Sequence, residues 1–238
     1  MSLQPIIALD FDGVINCSFD QTSNPEWTNF VLISVDDQAD NPIHTENGGQ
    51  LTKAEALSLV KVADDRYGAG TSERLLEVLT RQHVEDGPFY ARHRSNDPEH
   101  QYFNRGQVGA PTLITYHPHH VEFIRQLVAD EVPIIWATSW EAAILPVAQI
   151  IGLPELPVLK LGRCAGPLPY SATSVEWKLA AIGNAMSSQP VIWIDDVAHG
   201  QARDNISVVA TNTRLGLDKE AQQQTRDLIR KLGEEAQR

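Results

Sequence analysis

The stretch IIALDFDGVINC, from Ile6 to Cys17, begins as a continuous apolar run and ends in two carboxylates separated by Phe11. Side chains two positions apart on a β-strand point to the same side, so Asp10 and Asp12 are predicted to crowd one place at the end of the strand. The glycine that follows favours a turn. Because neighbouring carboxylates repel each other, the pattern indicates a site that attracts positive charge.

Four later runs of the chain are also almost continuously apolar. They span residues 133–138, 157–161, 190–194 and 206–210. Such runs are typical of parallel strands that are buried on both faces. Helical patterns alternate with them, at residues 119–130, 141–151, 174–186 and 218–235. This alternation predicts an α/β fold with a parallel sheet.

The stretch between the first two predicted strands, from Val14 to about Tyr116, is much longer than a strand–helix–strand connection needs. It therefore has to contain structure of its own. The organisation predicted from the sequence is a core formed by residues 1–15 and 116–238, with a flap and cap region inserted at 16–115.

Within this inserted region, residues 16–50 are rich in Asn, Asp, Ser, Thr and Gly, which favours an irregular or hairpin segment. A helix is predicted at 52–64, where Thr52 and Glu55 have the spacing of a capping box. The remaining predictions are a second helix and a loop with one short extended piece, at residues 71–85 and 87–109.

The composition of the chain argues against several classes of protein. Its 238 residues are 42% hydrophobic, enough for a domain with its own core. No apolar run approaches the ~20 residues of a membrane-spanning helix, and the N-terminus lacks the parts of a signal peptide, so no membrane association and a cytoplasmic location are expected. The two cysteines predict neither a disulfide framework nor a zinc site. The net charge of −12 argues against extended nucleic-acid binding.

Polar residues mark three further places where a predicted strand ends or a helix begins. Thr138 and Ser139 follow the strand of IIWATSW, and Asp195 and Asp196 follow the strand of VIWIDDV. Lys178 lies on the helix that precedes the second of these strands. Ligands of open parallel sheets bind outside the carboxyl ends of the strands. One pocket is therefore predicted to hold these residues together with the two carboxylates of the first strand.

Each of these features also has a purely structural explanation. Asp and Gly are common in the turns that end strands, and Ser139 can cap the helix that follows it. Lys178 can be a solvated helix residue, and Asp195 with Asp196 can form an N-cap pair. The order and spacing of the four features, taken together, favour a functional site.

This order resembles the motifs of the haloacid dehalogenase superfamily, whose members mostly hydrolyse phosphate esters. The first motif of that family is an apolar strand ending in DxD, which matches Asp10 and Asp12. The second is a strand ending in Thr or Ser, which matches Thr138, with Ser139 as the rival assignment.

The third motif of the family is a basic residue on a helix, which matches Lys178, and the fourth is an acidic pair after an apolar strand, which matches Asp195 and Asp196. The match covers residues 5–13 and about 118–215. It implies a doubly wound, Rossmann-like core with an inserted cap. More loosely, WATSW followed by IIGLP is similar to a small phosphatase branch of the family, some members of which accompany nucleic-acid end-repair enzymes.

The resemblance implies a phosphohydrolase in which Asp10 is the nucleophile and Asp12 is the general acid and base. Thr138 and Lys178 are expected to hold the phosphate oxygens, with Gly13 and Ser139 as further substrate-binding residues. A carboxylate that attacks a phosphate needs a cation to screen the repulsion, and Mg²⁺ suits oxygen ligands. Its expected ligands are Asp10, Asp196 and Asp12 through its backbone carbonyl, while Asp195 is expected to lie behind these ligands or to bind the ion through water.

The expected substrate is a phosphorylated small molecule or a phosphorylated nucleic-acid end, because the pattern does not distinguish between them. Two alternatives to the phosphatase stay open at this point. One is a non-catalytic phosphate-binding or regulatory module that keeps the pocket without turnover. The other is a different phosphotransferase of the same superfamily.

Overall fold

The structure is a computed structural model, and it describes residues 4–17, 24–35, 46, 48–67, 88–93, 111–162, 172–203 and 205–236. The strands within these residues are β1 (Ile6–Leu9), β2 (Thr28–Val35), β3 (Gln50–Leu51), β4 (Phe89–His93), β5 (Pro111–Tyr116), β6 (Ile134–Trp136), β7 (Val191–Asp195) and β8 (Ile206–Ala210). The α-helices are α1 (Lys53–Tyr67), α2 (Pro118–Ala129), α3 (Ile144–Ile150), α4 (Ala172–Ala185) and α5 (Lys219–Glu235).

A four-stranded parallel sheet in the order β6-β1-β7-β8 forms the centre of the fold. In its register Leu9 of β1 lies between Trp136 of β6 and Ile194 of β7. The strands are nearly all apolar because both faces of the sheet are covered. The α/β fold with a parallel sheet, predicted from the alternation of apolar runs and helices, is confirmed.

Helices pack on both faces of this sheet. On one face, Ile7 and Leu9 belong to a large apolar cluster that includes buried residues of α2, α3 and α5. On the other face, Ala8 and Trp193 pack with Leu179 and other residues of α4. The side chains of β1 therefore alternate between two apolar layers, as its position in the middle of the sheet requires.

A second, mixed sheet in the order β3-β4-β2-β5 is built from residues that follow β1 in the chain. Strand β2 pairs parallel to β4 and antiparallel to β5, and β3 pairs antiparallel to β4. One face of this sheet packs on α1 through residues such as Ile33 and Leu59. The opposite face contributes Phe30 and Ile114 to the apolar cluster of the central sheet. The two sheets thus share one core layer.

The chain leaves the central sheet and returns to it at the same place. The backbone N–H of Cys17 donates to the carbonyl of Thr115 at 2.7 Å, and the N–H of Thr115 donates to Oδ1 of Asn16 at 3.0 Å. Asn16 and Thr115 are 99 positions apart in the sequence. The two ends of this long excursion are therefore joined by hydrogen bonds beside the end of β1.

Local sequence signals account for several helix ends. Helix α1 begins with the predicted capping box: Thr52 N–H donates to Glu55 Oε2 at 2.7 Å, and Glu55 N–H donates to Thr52 Oγ1 at 3.2 Å. Helix α2 begins with Pro118 after His117, whose Nδ1 accepts from the N–H of His119. These contacts satisfy backbone groups that the first turn of a helix leaves without partners. Among the described helices, none has the length and apolar composition that crossing a bilayer requires.

Two predictions made from the sequence differ from the structure. Residues 157–161 do not form a strand: Val158 makes only an isolated bridge with Trp136, the last residue of β6. The part of 16–50 predicted to be irregular or a hairpin contains β2, which pairs with β4 and β5 far away in the chain. The predicted helix at 71–85 lies outside the described residues.

Candidate active site

The end of β1 lies beside the end of β7 at the carboxyl edge of the parallel sheet. The N–H of Asp10 donates to the carbonyl of Ile194 at 3.0 Å, so the chain just after β1 stays paired with β7. Asp195, the last residue of β7, is fully buried, and Asp10 is 3% exposed. Parallel pairing in this register therefore places both carboxylates at one point, as the sequence predicts.

Lys178 of α4 forms an ion pair with both of these carboxylates. Its Nζ lies 2.7 Å from Oδ2 of Asp10 and 2.8 Å from Oδ2 of Asp195. Burial alone would lower the pKa of Lys178, but the two carboxylates outweigh it and raise the pKa above its usual value. Lys178 is therefore a buried, charged ammonium group that neutralises part of the acidic cluster.

Asp195 is held on both of its oxygens. Oδ1 accepts from the N–H of Val197 at 2.9 Å, and Oδ2 accepts from Lys178 and from the indole N–H of Trp193 at 3.1 Å. Burial and then the charge of Asp10 raise the pKa of Asp195, while Lys178 opposes this shift. The fixed carboxylate of Asp195 therefore orients Lys178 towards Asp10.

Asp10, Asp195 and Asp196 could together hold a metal ion, since each offers a carboxylate oxygen within 4.8 Å of the others. Oδ1 of Asp10 is buried and has no hydrogen-bond partner among the described residues. Burial, followed by the charge of Asp10, raises the pKa of Asp196. A buried carboxylate oxygen without a donor is expensive unless a cation or a ligand meets it.

Gly13 brings the chain close to Asp196. Its φ of +70° lies in the left-handed region that glycine adopts without strain, and a Cβ atom at this position would overlap the carboxyl group of Asp196. The carbonyl of Gly13 also accepts from the hydroxyl of Thr211 at 2.8 Å. The glycine after DxD is therefore required both for the turn and for the position of Asp196.

Asp12 does not join the three clustered carboxylates, and its side chain has partners of its own. Oδ1 accepts from Nδ2 of Asn16 at 2.7 Å, and Oδ2 accepts from the indole N–H of Trp140 at 2.7 Å. Burial and then the charge of Asp10 raise the pKa of Asp12 to about 6, while the two hydrogen bonds lower it. A carboxyl group with such a pKa can hold and release a proton near neutral pH.

Thr138 and Ser139 lie in the turn after β6, next to β1. Thr138 is fully buried and its Oγ1 accepts from the N–H of Trp140 at 3.3 Å, whereas Ser139 is partly exposed. The hydroxyl of Thr138 therefore closes this turn, and neither Thr138 nor Ser139 caps the short helix that follows, since no side chain caps it. The neighbouring Glu141 has a φ of 44°, a strained conformation for a residue with a side chain, and its carboxylate accepts from the N–H of Leu161 at 3.0 Å.

The structure brings Asp10, Lys178, Asp195 and Asp196 together and places Gly13 against Asp196. Thr138 and Ser139 lie in the turn after the neighbouring strand β6. The side chain of Asp12 instead accepts from Asn16 and Trp140. These two donors were missed, because Trp140 fits a packing position and Asn16 lies in a polar stretch. Arg92 was also missed as a neighbour of the site. Its guanidinium carbon lies 5.7 Å from the ring centroid of Trp140. No pattern in the sequence connects Arg92 with Trp140, since Arg92 lies on β4 of the mixed sheet and Trp140 lies in the turn after β6 of the parallel sheet.

Comparisons with models of known protein families, with curated proteins and with solved structures find no match to this chain. The sequence pattern and the geometry of this site are therefore what bear on its function.

Proposed function

We propose that this chain is a Mg²⁺-dependent phosphatase of the haloacid dehalogenase type, which hydrolyses a phosphate monoester through an aspartyl phosphate on Asp10. Its catalytic core would be formed by residues 1–15 and 116–238, with the cap inserted at 16–115. The observation that carries the proposal is the buried contact of Lys178 with Asp10, at 2.7 Å across 168 positions of sequence. It joins two elements that the family pattern puts in one pocket.

Asp10 is the nucleophile in this proposal. Lys178 holds Oδ2 of its carboxylate, the backbone of Asp10 is paired with Ile194 of β7, and Oδ1 keeps its lone pairs because no described donor reaches it. The oxygen–phosphorus bond forms as the bond to the leaving oxygen breaks, and water later cleaves the aspartyl phosphate to restore Asp10. Covalent catalysis of this kind divides one difficult step into two easier ones.

The donor set of the acidic cluster fits a small divalent cation. Oδ2 of Asp195 already accepts two protein hydrogen bonds and Oδ1 accepts one, so Asp10 and Asp196 offer the freer carboxylate oxygens and Asp195 would bind through Oδ1 or through a water. The backbone carbonyl of Asp12 is a further candidate ligand. Two carboxylates plus a substrate phosphate and retained waters are typical ligands of Mg²⁺. When bound, the ion screens the repulsion between the phosphate and the carboxylates.

Asp12 is the general acid and base. Its raised pKa allows it to donate a proton to the leaving oxygen and then to take one from the attacking water. Lys178 and the turn at Thr138 and Ser139 would hold the non-bridging oxygens of the phosphate, where fixed donors stabilise the charge of the transition state. The substrate class remains a phosphorylated small molecule or a phosphorylated nucleic-acid end.

Phosphate release tests this proposal directly. The wild-type protein would be assayed with Mg²⁺ and with a chelator, against sugar phosphates, nucleoside monophosphates and 5′- or 3′-phosphorylated oligonucleotides. Asp10→Asn removes the nucleophile, and Asp227→Asn is a matched control, because Asp227 lies on the surface of α5 with its side chain 48% exposed. We expect Mg²⁺-dependent release that falls roughly a thousandfold or more in Asp10→Asn and is unchanged in Asp227→Asn.

Two outcomes would contradict the proposal. Release that persists in Asp10→Asn, or that does not depend on a divalent cation, would exclude this mechanism. No release from any substrate, with Mg²⁺ still raising the melting temperature of the folded protein, would favour the non-catalytic phosphate-binding module. Acid quenching during turnover of a ³²P-labelled substrate adds a direct readout, since only a chain with Asp10 can retain the label.

A further inference from the structure

Each carboxyl oxygen of Asp12 accepts a hydrogen bond from a nitrogen donor. Asn16 Nδ2 and Trp140 Nε1 each lie 2.7 Å from a different oxygen of Asp12. An indole N–H can only donate, and the same holds for the amide nitrogen of Asn16. Two donors on two oxygens fix both torsions of so short a side chain, while each oxygen keeps a further lone pair for a proton or a substrate.

Each of the two donors is itself held by the mixed sheet. Oδ1 of Asn16 accepts from the backbone N–H of Thr115 on β5 at 3.0 Å, which fixes the amide with its nitrogen facing Asp12. The ring of Trp140 lies beneath the guanidinium of Arg92 on β4. Arg92, which is 8% exposed, is anchored in turn by Nη2, which donates to Oγ of Ser34 on β2 at 2.6 Å.

Other contacts of Trp140 show that its position is defined by packing. Phe11, between the two acidic residues of DxD, makes an edge-to-face contact with the Trp140 ring at a centroid distance of 5.3 Å. The backbone N–H of Trp140 donates to Thr138 Oγ1, and the strained turn at Glu141 follows directly. A ring confined in this way can aim its N–H at one place only, which is Oδ2 of Asp12.

We infer that Asn16 and Trp140 are positioning residues that hold the carboxyl group of Asp12 in the orientation needed for proton transfer, and that the mixed sheet acts on the reaction through them. This inference rests on the proposed phosphatase function. In the step concerned, the Asp12 O–H bond breaks as the proton passes to the leaving oxygen, whose bond to phosphorus breaks at the same time. The inserted sheet is then part of the proton-transfer apparatus and not only a cover over the pocket.

Two phosphate esters that differ in their leaving groups distinguish positioning from general damage. Phenyl phosphate needs a proton on its departing oxygen, whereas 2,4-dinitrophenyl phosphate releases a much weaker base that leaves without one. Trp140→Phe keeps the ring under Arg92 and removes the N–H; Asn16→Ala removes the other donor. Trp177→Phe is the matched control, because it loses an indole hydrogen bond of the same 2.7 Å length, to the carbonyl of Leu161.

We expect Trp140→Phe and Asn16→Ala each to lower kcat for phenyl phosphate by about tenfold or more, with KM unchanged and with dinitrophenyl phosphate affected less than about twofold. The variant Arg92→Met should show the same selectivity to a smaller degree, and Trp177→Phe should not show it. Equal slowing of both esters, or no slowing of either, would overturn the inference. If Arg92→Met alone slowed both esters equally, the proposal that the mixed sheet acts through Trp140 would be wrong.

A second measurement makes failure of the inference distinct from failure of the proposed function. In ¹⁵N-labelled protein, the indole N–H signal of Trp140, assigned by its loss in Trp140→Phe, should shift and exchange faster with solvent in Asp12→Ala. If the wild type hydrolyses neither ester, the phosphatase proposal fails and the catalytic part of the inference fails with it. If the indole N–H signal of Trp140 is the same in Asp12→Ala and the wild type, Trp140 does not bind Asp12, and the inference fails whether or not the protein hydrolyses the esters.

Discussion

Replacing Lys178 with methionine tests the electrostatic arrangement at the centre of the site. Lys178 is 6% exposed and its ammonium group contacts two carboxylates that are themselves buried. The methionine fills a similar volume but leaves Asp10 and Asp195 facing each other without a cation. Breaking a buried ion pair by removing one partner costs about 3–5 kcal/mol, because the charge left behind is neither solvated nor paired.

For a chain of this size, such a loss corresponds to a fall in melting temperature of roughly 6–20 °C. The assay is thermal and urea unfolding in the presence of a chelator, so that no divalent cation replaces the missing ammonium group. Lys231→Met, at an exposed position of α5, is the matched control and is expected to change the free energy of unfolding by no more than about 0.5 kcal/mol.

The double variant Asp10→Asn with Lys178→Met sharpens the test. Removing one of the two unpaired carboxylates should restore about 1–3 kcal/mol relative to Lys178→Met alone, even though Asp10→Asn is a second change to a buried site. The reasoning would be refuted if Lys178→Met were as stable as Lys231→Met, or if the double variant were less stable than the single one.

Three further predictions concern residues around the site. Burial lowers the pKa of His120 from 6.5 to about 4, so between these pH values the unfolded state binds more protons than the folded state. As the pH falls from 6.5 to 4, the wild type should therefore lose about 2–3 kcal/mol of stability in urea unfolding, and His120→Gln should not show this loss. Gly13→Ala, whose Cβ overlaps the carboxyl group of Asp196, should abolish any rise in melting temperature with Mg²⁺. Burial raises the pKa of Cys17 to about 12, so in a Cys164→Ser background a thiol reagent should label the native protein only as fast as it unfolds.

Each of these three has a contrary result. Parallel stability curves for wild type and His120→Gln between pH 6.5 and 4 would show that His120 is not buried in its neutral form. An undiminished Mg²⁺ response in Gly13→Ala would mean that Asp196 takes no part in binding the ion. Labelling of Cys17 faster than unfolding would place the thiol at the surface, against its burial in the structure.

The parallel sheet could be predicted because its strands are short, continuous apolar runs, and the position of Asp10 and Asp195 followed from the rule that strand ends meet at one edge. The mixed sheet could not be predicted in the same way. Its β4 strand reads FYARH, with two polar residues among five, and β2 contains the mostly apolar run FVLISV within surroundings that are polar. The pairing partners of both strands lie far away in the chain, and no local periodicity reports them.

The residues around Asp10 and Asp12 illustrate the same difference at the level of side chains. Lys178 and the acidic residues carry charges whose order along the chain is informative. Trp140 and Asn16 each donate an N–H to Asp12, and this contact depends on how the mixed sheet places Thr115 and Arg92 beside the end of β1. Residue type alone cannot indicate such a contact.

The hydrogen bonds between Cys17 and Thr115 and between Asn16 and Thr115 have a consequence for how this protein can change over evolutionary time. They hold the two ends of the segment between residues 17 and 115 next to each other, so the geometry at these ends depends little on how many residues lie between them. Each doubling of a closed loop adds only about 0.6 kcal/mol of entropic cost. Insertions or deletions between the strands of this segment should therefore cost the parallel sheet little, provided that these three residues stay joined and that Phe30 and Ile114 keep their places in the shared core layer.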